Sequence, residues 1–519
     1  MKKISLFAGL LLLSVSAQAQ HEFTIEGKVK GLKDGEVMTL LRWDGRVGSS
    51  IATDTVHNES FRFKEKTLGN EVDKLSVSPR SEGFPPMSLT VYATPNANIK
   101  ISGNDNLLYT WKVDSSVKEQ QEANVYMEAT RELWNDYQRI GIEDYNQVRV
   151  LQSSTATDAE KEAARAKRKE CDGQQDPIQI SIAKKEMEIM QRTPVTSIWL
   201  EKLYGLSMDI LYTRNFPYRD EVIALYNKLS EADKKSEKGS AITVNLFPPT
   251  VVKEGEEMAD ADLYDLEGKV HHLADFKGKY MLLDFWSSGC GPCIMALPEM
   301  KEIQEQYKDR LTLISISSDT ERRWKAASKD HEMTWQNLND MKQTSGLYAK
   351  YGVRGIPNYV LISPEGKVIR MWSGYGPGSL KQKMKRLVDA EKHEMSITKQ
   401  GNVQTIHYPK TQSNNTDEVL EIRQIELKPD ATIVRFKAYY TPNYWIQLAT
   451  NASLTTDKGT KYTVKSTEGI TLGEHFFLPD SGEAEFSLIF EPLPADAKTF
   501  DFSEGETGAW QIKGVALTK

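Results

Sequence analysis

The sequence predicts a multidomain α+β architecture: a β domain, a helical segment, a layered α/β domain and a second β domain. Three observations carry that prediction. Apolar residues alternate with period two near both ends of the chain. They recur at helical spacing between about 113 and 246, and strand-like and helix-like runs alternate between about 247 and 394. At roughly 100–200 residues per domain, 519 residues make three to four bodies, each able to bury a core.

Lys2 and Lys3 precede an apolar run from Ile4 to Val15, then Ala17-Gln18-Ala19. A basic start, a short apolar stretch and a small-x-small site read as a signal peptide over 1–19, with the mature chain starting at Gln20. The run is too short for a bilayer, which needs about 20 apolar residues, and no later run is longer. No lipid-anchoring cysteine follows the small residues. The expectation is an exported, periplasmic protein without a transmembrane segment.

Phe23, Ile25, Gly27 and Val29 alternate, the Asp34-Gly35 turn signal follows, and Val37, Thr39 and Leu41 resume the pattern. With Phe61-Arg62-Phe63 and Ile99-Lys100-Ile101 they predict an N-terminal β domain over 20–112. Tyr126, Ala129, Leu133 and Tyr137, and later Trp199, Leu203, Leu206 and Ile210, predict a helical domain over 113–246. Within it, Thr157-Asp158-Ala159-Glu160 reads as a capping box opening a polar helix through Lys169, which makes Cys171 an exposed helix-end thiol. Phe247-Pro248-Pro249 punctuates the next boundary. Strands are expected at Tyr280–Trp286, Leu311–Ser317, Tyr359–Ile362 and Val368–Trp372, with helices after Cys290 and up to about Tyr351, in a domain over 247–394. Ile425/Leu427, Val434/Phe436/Ala438 and Phe486/Leu488/Phe490 return to period two and predict a C-terminal β-sandwich over 395–519. Its aromatic cluster, Tyr439, Tyr440, Tyr444 and Trp445, reads as sandwich core and rim.

The composition, 39% hydrophobic and 27% charged, excludes wholesale disorder. Net charge is −7, from 66 basic and 73 acidic residues that are interspersed, so no nucleic-acid partner is expected. Three cysteines are too few for a disulfide framework.

Two of those cysteines form Cys290-Gly291-Pro292-Cys293, directly after an apolar strand and at the start of a helix. A thiolate is the attacking species in disulfide exchange, and a helix N-terminus favours it through unpaired N–H groups and the positive dipole end. The outer cysteine, Cys290, is the expected nucleophile, and Cys293, one turn further in, the resolving thiol. A zinc half-site is the competing reading, but it needs two more ligands, and only His271 and His272 stand nearby. A structural disulfide across so tight a loop constrains little of the unfolded chain. No metal and no cofactor are expected.

Leu283-Asp284-Phe285-Trp286-Ser287-Ser288-Gly289-Cys290-Gly291-Pro292-Cys293 resembles the thioredoxin active-site segment. Tyr351-Gly352-Val353-Arg354-Gly355-Ile356-Pro357 resembles the segment that supplies its cis-proline, and Pro298 matches the proline that kinks the active-site helix. The spacer holding Trp324 and Trp335-Gln336-Asn337-Leu338 resembles the insertion of the exported TlpA/ResA-like branch, within the AhpC/TSA–redoxin superfamily. The resemblance covers about 250–394 and implies a thioredoxin-like α/β domain. The N-terminal β domain resembles, more weakly, the domain of unknown function that precedes such thioredoxins.

By position, the resemblance makes Asp284 the buried acid that takes the proton of Cys293. Pro357 becomes the cis-proline facing the disulfide, and the Ile356 backbone pairs with an extended substrate segment. Gly291, Pro292 and Trp286 complete the expected substrate-binding set. Gly289 stands where thioredoxins carry Trp, and Ala296 where cytochrome-maturation members carry Glu, which argues against haem-attachment chemistry. The Gly-Pro dipeptide points to a reductase of protein disulfides or small thiol compounds, fed by a membrane thiol-transfer donor. An oxidase or isomerase, and a redox-silent scaffold, remain as alternatives. The helical domain is the candidate oligomer interface.

Overall fold

Phe23, Ile25, Gly27 and Val29 all face inward along the strand Glu22–Val29. Gly27 is required there, because a Cβ would sit 2.2 Å from the Phe61 ring. In this computed structural model the described residues are 22–79, 83–389, 393–416, 418–505 and 510–518. The expected signal peptide lies outside them.

The N-terminal strands form two four-stranded sheets. One joins Ser60–Lys66, Glu22–Val29, Asn98–Gly103 and Lys112–Asp114, and the other Val47–Thr55, Val37–Asp44, Asp73–Pro79 and Leu89–Ala93. In Val37–Asp44 burial does not alternate: Thr39, of the expected set, is buried, and so are its neighbours on either side. Met38 and Leu40 are fully buried, while Val37 and Leu41 are not. A register shift between Leu40 and Leu41 interrupts the alternation at that point.

Two long helices follow, α1 (Lys118–Gln152) and α2 (Asp158–Met190). Thr157 and Glu160 close the capping box on α2. This helix does not end near Lys169; it continues through Pro177 to Met190. Cys171 therefore lies mid-helix and is buried, not exposed at a helix end. Tyr126, Met187, Trp199, Leu203 and Leu206 belong to one apolar core with the N-terminal sheets.

The α/β domain is built on five strands: β1 (Tyr280–Trp286), β2 (Leu311–Ser317), β3 (Gln336–Leu338), β4 (Asn358–Ile362) and β5 (Val368–Ser373). Their order is β3-β2-β1-β4-β5, parallel across β3-β2-β1 and antiparallel beyond. Helix α3 (Gly291–Tyr307) follows β1, and α4 (Ser379–Leu387) follows β5. Central β1 is buried on both faces, which is why it reads as an unbroken apolar run.

Ten strands from Ser396 to Ala516 make one sheet that forms the C-terminal β domain. Ile425, Val434, Phe436, Ala438, Phe486, Leu488 and Phe490 share its core. The chain divides into two compact units. Among the described residues, those within 22–251, 318–326 and 339–352 make the first, and those within 252–317, 327–338 and 353–518 the second. In the first unit, Asp44 accepts hydrogen bonds from Thr320 Oγ1 (2.9 Å) and Arg322 Nη2 (2.7 Å).

Candidate active site

After Trp286 the chain leaves β1 through Ser287-Ser288-Gly289, and the Cys290 N–H donates to the Ser287 carbonyl (3.1 Å) to close the turn. Cys290 is extended (φ −95°, ψ 99°) and caps α3, its Sγ accepting from the Cys293 N–H at 3.2 Å. Sulfur thus takes the place of the oxygen in an ordinary N-cap, at the positive end of the helix dipole. Pro292 sits in the first turn, where a missing N–H costs nothing. Cys290 and Cys293 are joined as a disulfide, with Cα atoms 5.2 Å apart. Cys290 keeps 9% of its surface and Cys293 2%, so the outer sulfur is the reachable one. Gly289, Gly291 and Pro292 are exposed around it, with Met295, an apolar rim residue that sequence reasoning missed. It sits on a helix that buries one face and exposes the other, and only the fold shows which side faces out.

Asp284 lies in β1 and is fully buried. Pairing register gives it Ser315 on β2 as one neighbour and Tyr359 on β4 as the other. Ser315 Oγ donates to Asp284 Oδ2 (2.8 Å), and Trp335 Nε1 donates to Ser315 Oγ (2.8 Å). Burial pushes the Asp284 carboxyl up to about 7, with the Ser315 bond pulling part of the way back. The group can therefore hold or release a proton near neutrality. The Tyr359 hydroxyl is pushed up by burial and by Asp284, and has no hydrogen-bond partner among the described residues. The Trp335–Ser315–Asp284 chain was missed because its signal is a strand register, which local patterning does not carry.

The Ile356–Pro357 peptide is cis. Pro357 is buried and Ile356 half-buried. Among the described residues, the Ile356 N–H and C=O have no hydrogen-bond partner. The Pro357 carbonyl accepts from the Gly374 N–H (2.9 Å), and Asn358 Nδ2 donates to Ser373 Oγ (2.7 Å), which ties the segment to the end of β5. Trp286 departs from its expected role: it is fully buried and offers no surface to a substrate. Its position at the end of a strand buried on both faces makes it core.

Ala296 is buried in α3. One turn on, buried Glu299 accepts from the Gly378 N–H (2.9 Å) and the Lys381 N–H (2.8 Å), capping α4 from outside its own chain segment. Tyr375 also hydrogen-bonds Glu299. His271 Nε2 is held by Asp265 at 2.7 Å. No group of three or more His, Cys, Asp or Glu among the described residues is arranged to hold a metal ion.

The AhpC/TSA family model matches residues 255–371. The thioredoxin-like protein YneN of Bacillus subtilis is 30% identical over 121 residues, 22% of this chain and 69% of that protein. The thiol-disulfide oxidoreductase ResA of Bacillus thuringiensis is 34% identical over 122 residues, 23% of this chain and 69% of that protein. A crystal structure of the thioredoxin domain of a thiol-disulfide oxidoreductase from Bacteroides vulgatus matches at 29% identity and a TM-score of 0.24, covering 26% of this chain and 99% of that one.

Proposed function

Because the chain belongs, through a domain covering about a quarter of its length, to the ResA-like thiol–disulfide oxidoreductases, we propose that it is an exported reductase of protein disulfides. The Cys290 thiolate attacks one sulfur of a client disulfide, forming a mixed disulfide and releasing the other client sulfur as thiolate. Cys293 then attacks Cys290 Sγ, closing the Cys290–Cys293 disulfide and releasing the second client thiolate. Two electrons pass from the protein dithiol to the client. Asp284 takes the Cys293 proton in the second step, and the unpaired Ile356 backbone holds the client strand. A dithiol donor of the membrane thiol-transfer class returns the two electrons.

The direction of exchange rests on how modestly the Cys290 thiolate is stabilised. Strong oxidants in this class owe their potential to an over-stabilised reduced form. Here the bond to Cys290 Sγ comes from the Cys293 N–H at a helix end, and residues 283–298 include no Lys, Arg or His. These features favour a low potential. Export is supported by the reading of residues 1–19, and no helix among the described residues is long and apolar enough to cross a membrane.

Equilibration of the Cys290–Cys293 pair against glutathione or thioredoxin, in the full chain and in Cys171→Ser, tests the reading. A potential near −270 mV is expected, roughly that of thioredoxin. A value of about −120 to −180 mV would make the protein an oxidase or isomerase. Failure to equilibrate would favour a redox-silent scaffold.

A further inference from the structure

The loop after β5, residues 374–378, leads from Ser373 into α4. Its Gly374 N–H is bonded to the Pro357 carbonyl, and its far end, Gly378, is held by Glu299 of the active-site helix. Both ends of the loop are therefore anchored on elements that carry the active site.

Opposite this loop stands a turn of the C-terminal domain, Thr441-Pro442-Asn443-Tyr444. The Tyr444 N–H donates to the Thr441 carbonyl (3.1 Å), and Asn443 has φ +63°. Pro followed by a residue at positive φ is the pattern of a type II turn, which sets its conformation in the sequence. Asn443 Nδ2 donates to Asp480 Oδ1 (3.1 Å), the Leu478 N–H to the Tyr444 carbonyl (2.8 Å), and the Tyr440 N–H to the Gly482 carbonyl (2.9 Å). The turn is held on three sides. Gly378 on the facing loop permits its approach, since a Cβ there would lie 3.0 Å from Pro442 Cδ.

Between loop and turn lies a cleft of about 360 Å³, lined by Trp372, Tyr375, Gln382, Tyr440 and Tyr444 among others. Tyr439 is buried as core, but Tyr440, Tyr444 and Trp445 are exposed, 53% in the case of Tyr444. Exposed Phe477 pairs across from Trp445 and extends the aromatic surface. Solvent-facing aromatics on a pinned turn stabilise no core, and Tyr and Trp are the residues that most often anchor protein interfaces.

We propose that this cleft is a client subsite supplied by the C-terminal domain, taking a bulky aromatic or aliphatic side chain from the extended polypeptide that carries the disulfide. The occupant follows from continuity. A client strand pairing with the Ile356 backbone runs beside Pro357, and Gly374, which lines the cleft, is bonded to that same residue. Polar lining residues, including Gln382, Lys383 and Glu418, suit peptide groups flanking the apolar side chain. The inference rests on the reductase reading for its client, and it assigns client choice to residues outside the 255–371 family match.

The test uses the full-length protein with Tyr444→Ser, Tyr440→Ser and Tyr444→Phe. Insulin reports a protein disulfide and glutathione disulfide a small one. The ratio of their kcat/KM values should fall about tenfold in either serine variant, mainly through the KM for insulin, and recover in Tyr444→Phe. Fluorescence anisotropy with S-alkylated insulin B chain reads the cleft without any exchange, and its Kd should weaken by a similar factor. An unchanged ratio and Kd would overturn the subsite. So would dissociation of an oligomer in the serine variants with the ratio unchanged, since the surface would then join copies of this chain. If the native protein reduces neither disulfide yet binds the alkylated chain through Tyr444, the reductase reading fails and the subsite stands.

Discussion

A carboxyl inside a β-strand pays for ionisation with lost hydration, and among the described residues Asp284 receives one hydroxyl donor, from Ser315, in return. Its folded pKa of about 7 against an ordinary 3.8 means that the native state binds the proton more tightly than the unfolded chain. Stability from this group is therefore fully present below about pH 4 and is lost as pH rises towards 7. Three units correspond to about 4 kcal/mol. Asp284→Asn should match the native protein in urea denaturation near pH 4 and exceed it by about that amount at pH 8. A stability gap that does not change with pH would remove Asp284 as a group titrating near neutrality. The same substitution should slow release of the client from the mixed disulfide, because Asn cannot accept the Cys293 proton.

At the scale of elements, the active-site helix is held against α4 by a side chain that looks ordinary in the sequence. Glu299 supplies both carboxylate oxygens to N–H groups at the start of α4, about 80 positions away. Glu299→Ala would leave two donors without their acceptor in a mostly buried setting. The expected cost is about 2–4 kcal/mol, combining a lost cap with unsatisfied polar groups. Glu299→Gln, which keeps one acceptor oxygen, should lose less. Equal losses in urea denaturation would show that Glu299 packs rather than caps. This device was not legible in advance, because its partners are distant in sequence. The strand Tyr280–Trp286 and the helix after Cys290 were legible, since an unbroken apolar run followed by Gly-Pro at a helix start needs only local chemistry. In α2 the local signal misled. Pro177 in a helix interior costs about 3 kcal/mol, yet burial of Ile182, Ala183, Met187 and Met190 beyond it sustains the helix to Met190. Cys171 is buried as a result.

At the scale of the whole molecule, the two units share one chain in an interleaved order. The chain passes between them at 251/252, 317/318, 326/327, 338/339 and 352/353. Segments 318–326 and 339–352 of the first unit flank the stretch holding β3, a strand of the second unit's sheet. If the first unit opened alone, the chain on both sides of that strand in sequence would be unfolded. β3, an edge strand of the sheet that carries Asp284, would then be tethered at both ends to unfolded chain. Interleaving therefore couples the two unfolding events, although a chain of this size ordinarily melts in several steps. Cys171 is the reporter for the first unit, being buried in α2 and the one cysteine outside the disulfide. On heating the oxidised protein at pH 8, Cys171 labelling by N-ethylmaleimide should rise together with the loss of near-ultraviolet circular dichroism. Asp284→Asn, though it lies in the second unit, should then move the onset of Cys171 labelling upward by several degrees. Labelling that begins at an unchanged temperature would mean that the first unit opens on its own, and that connectivity alone does not bind the two together.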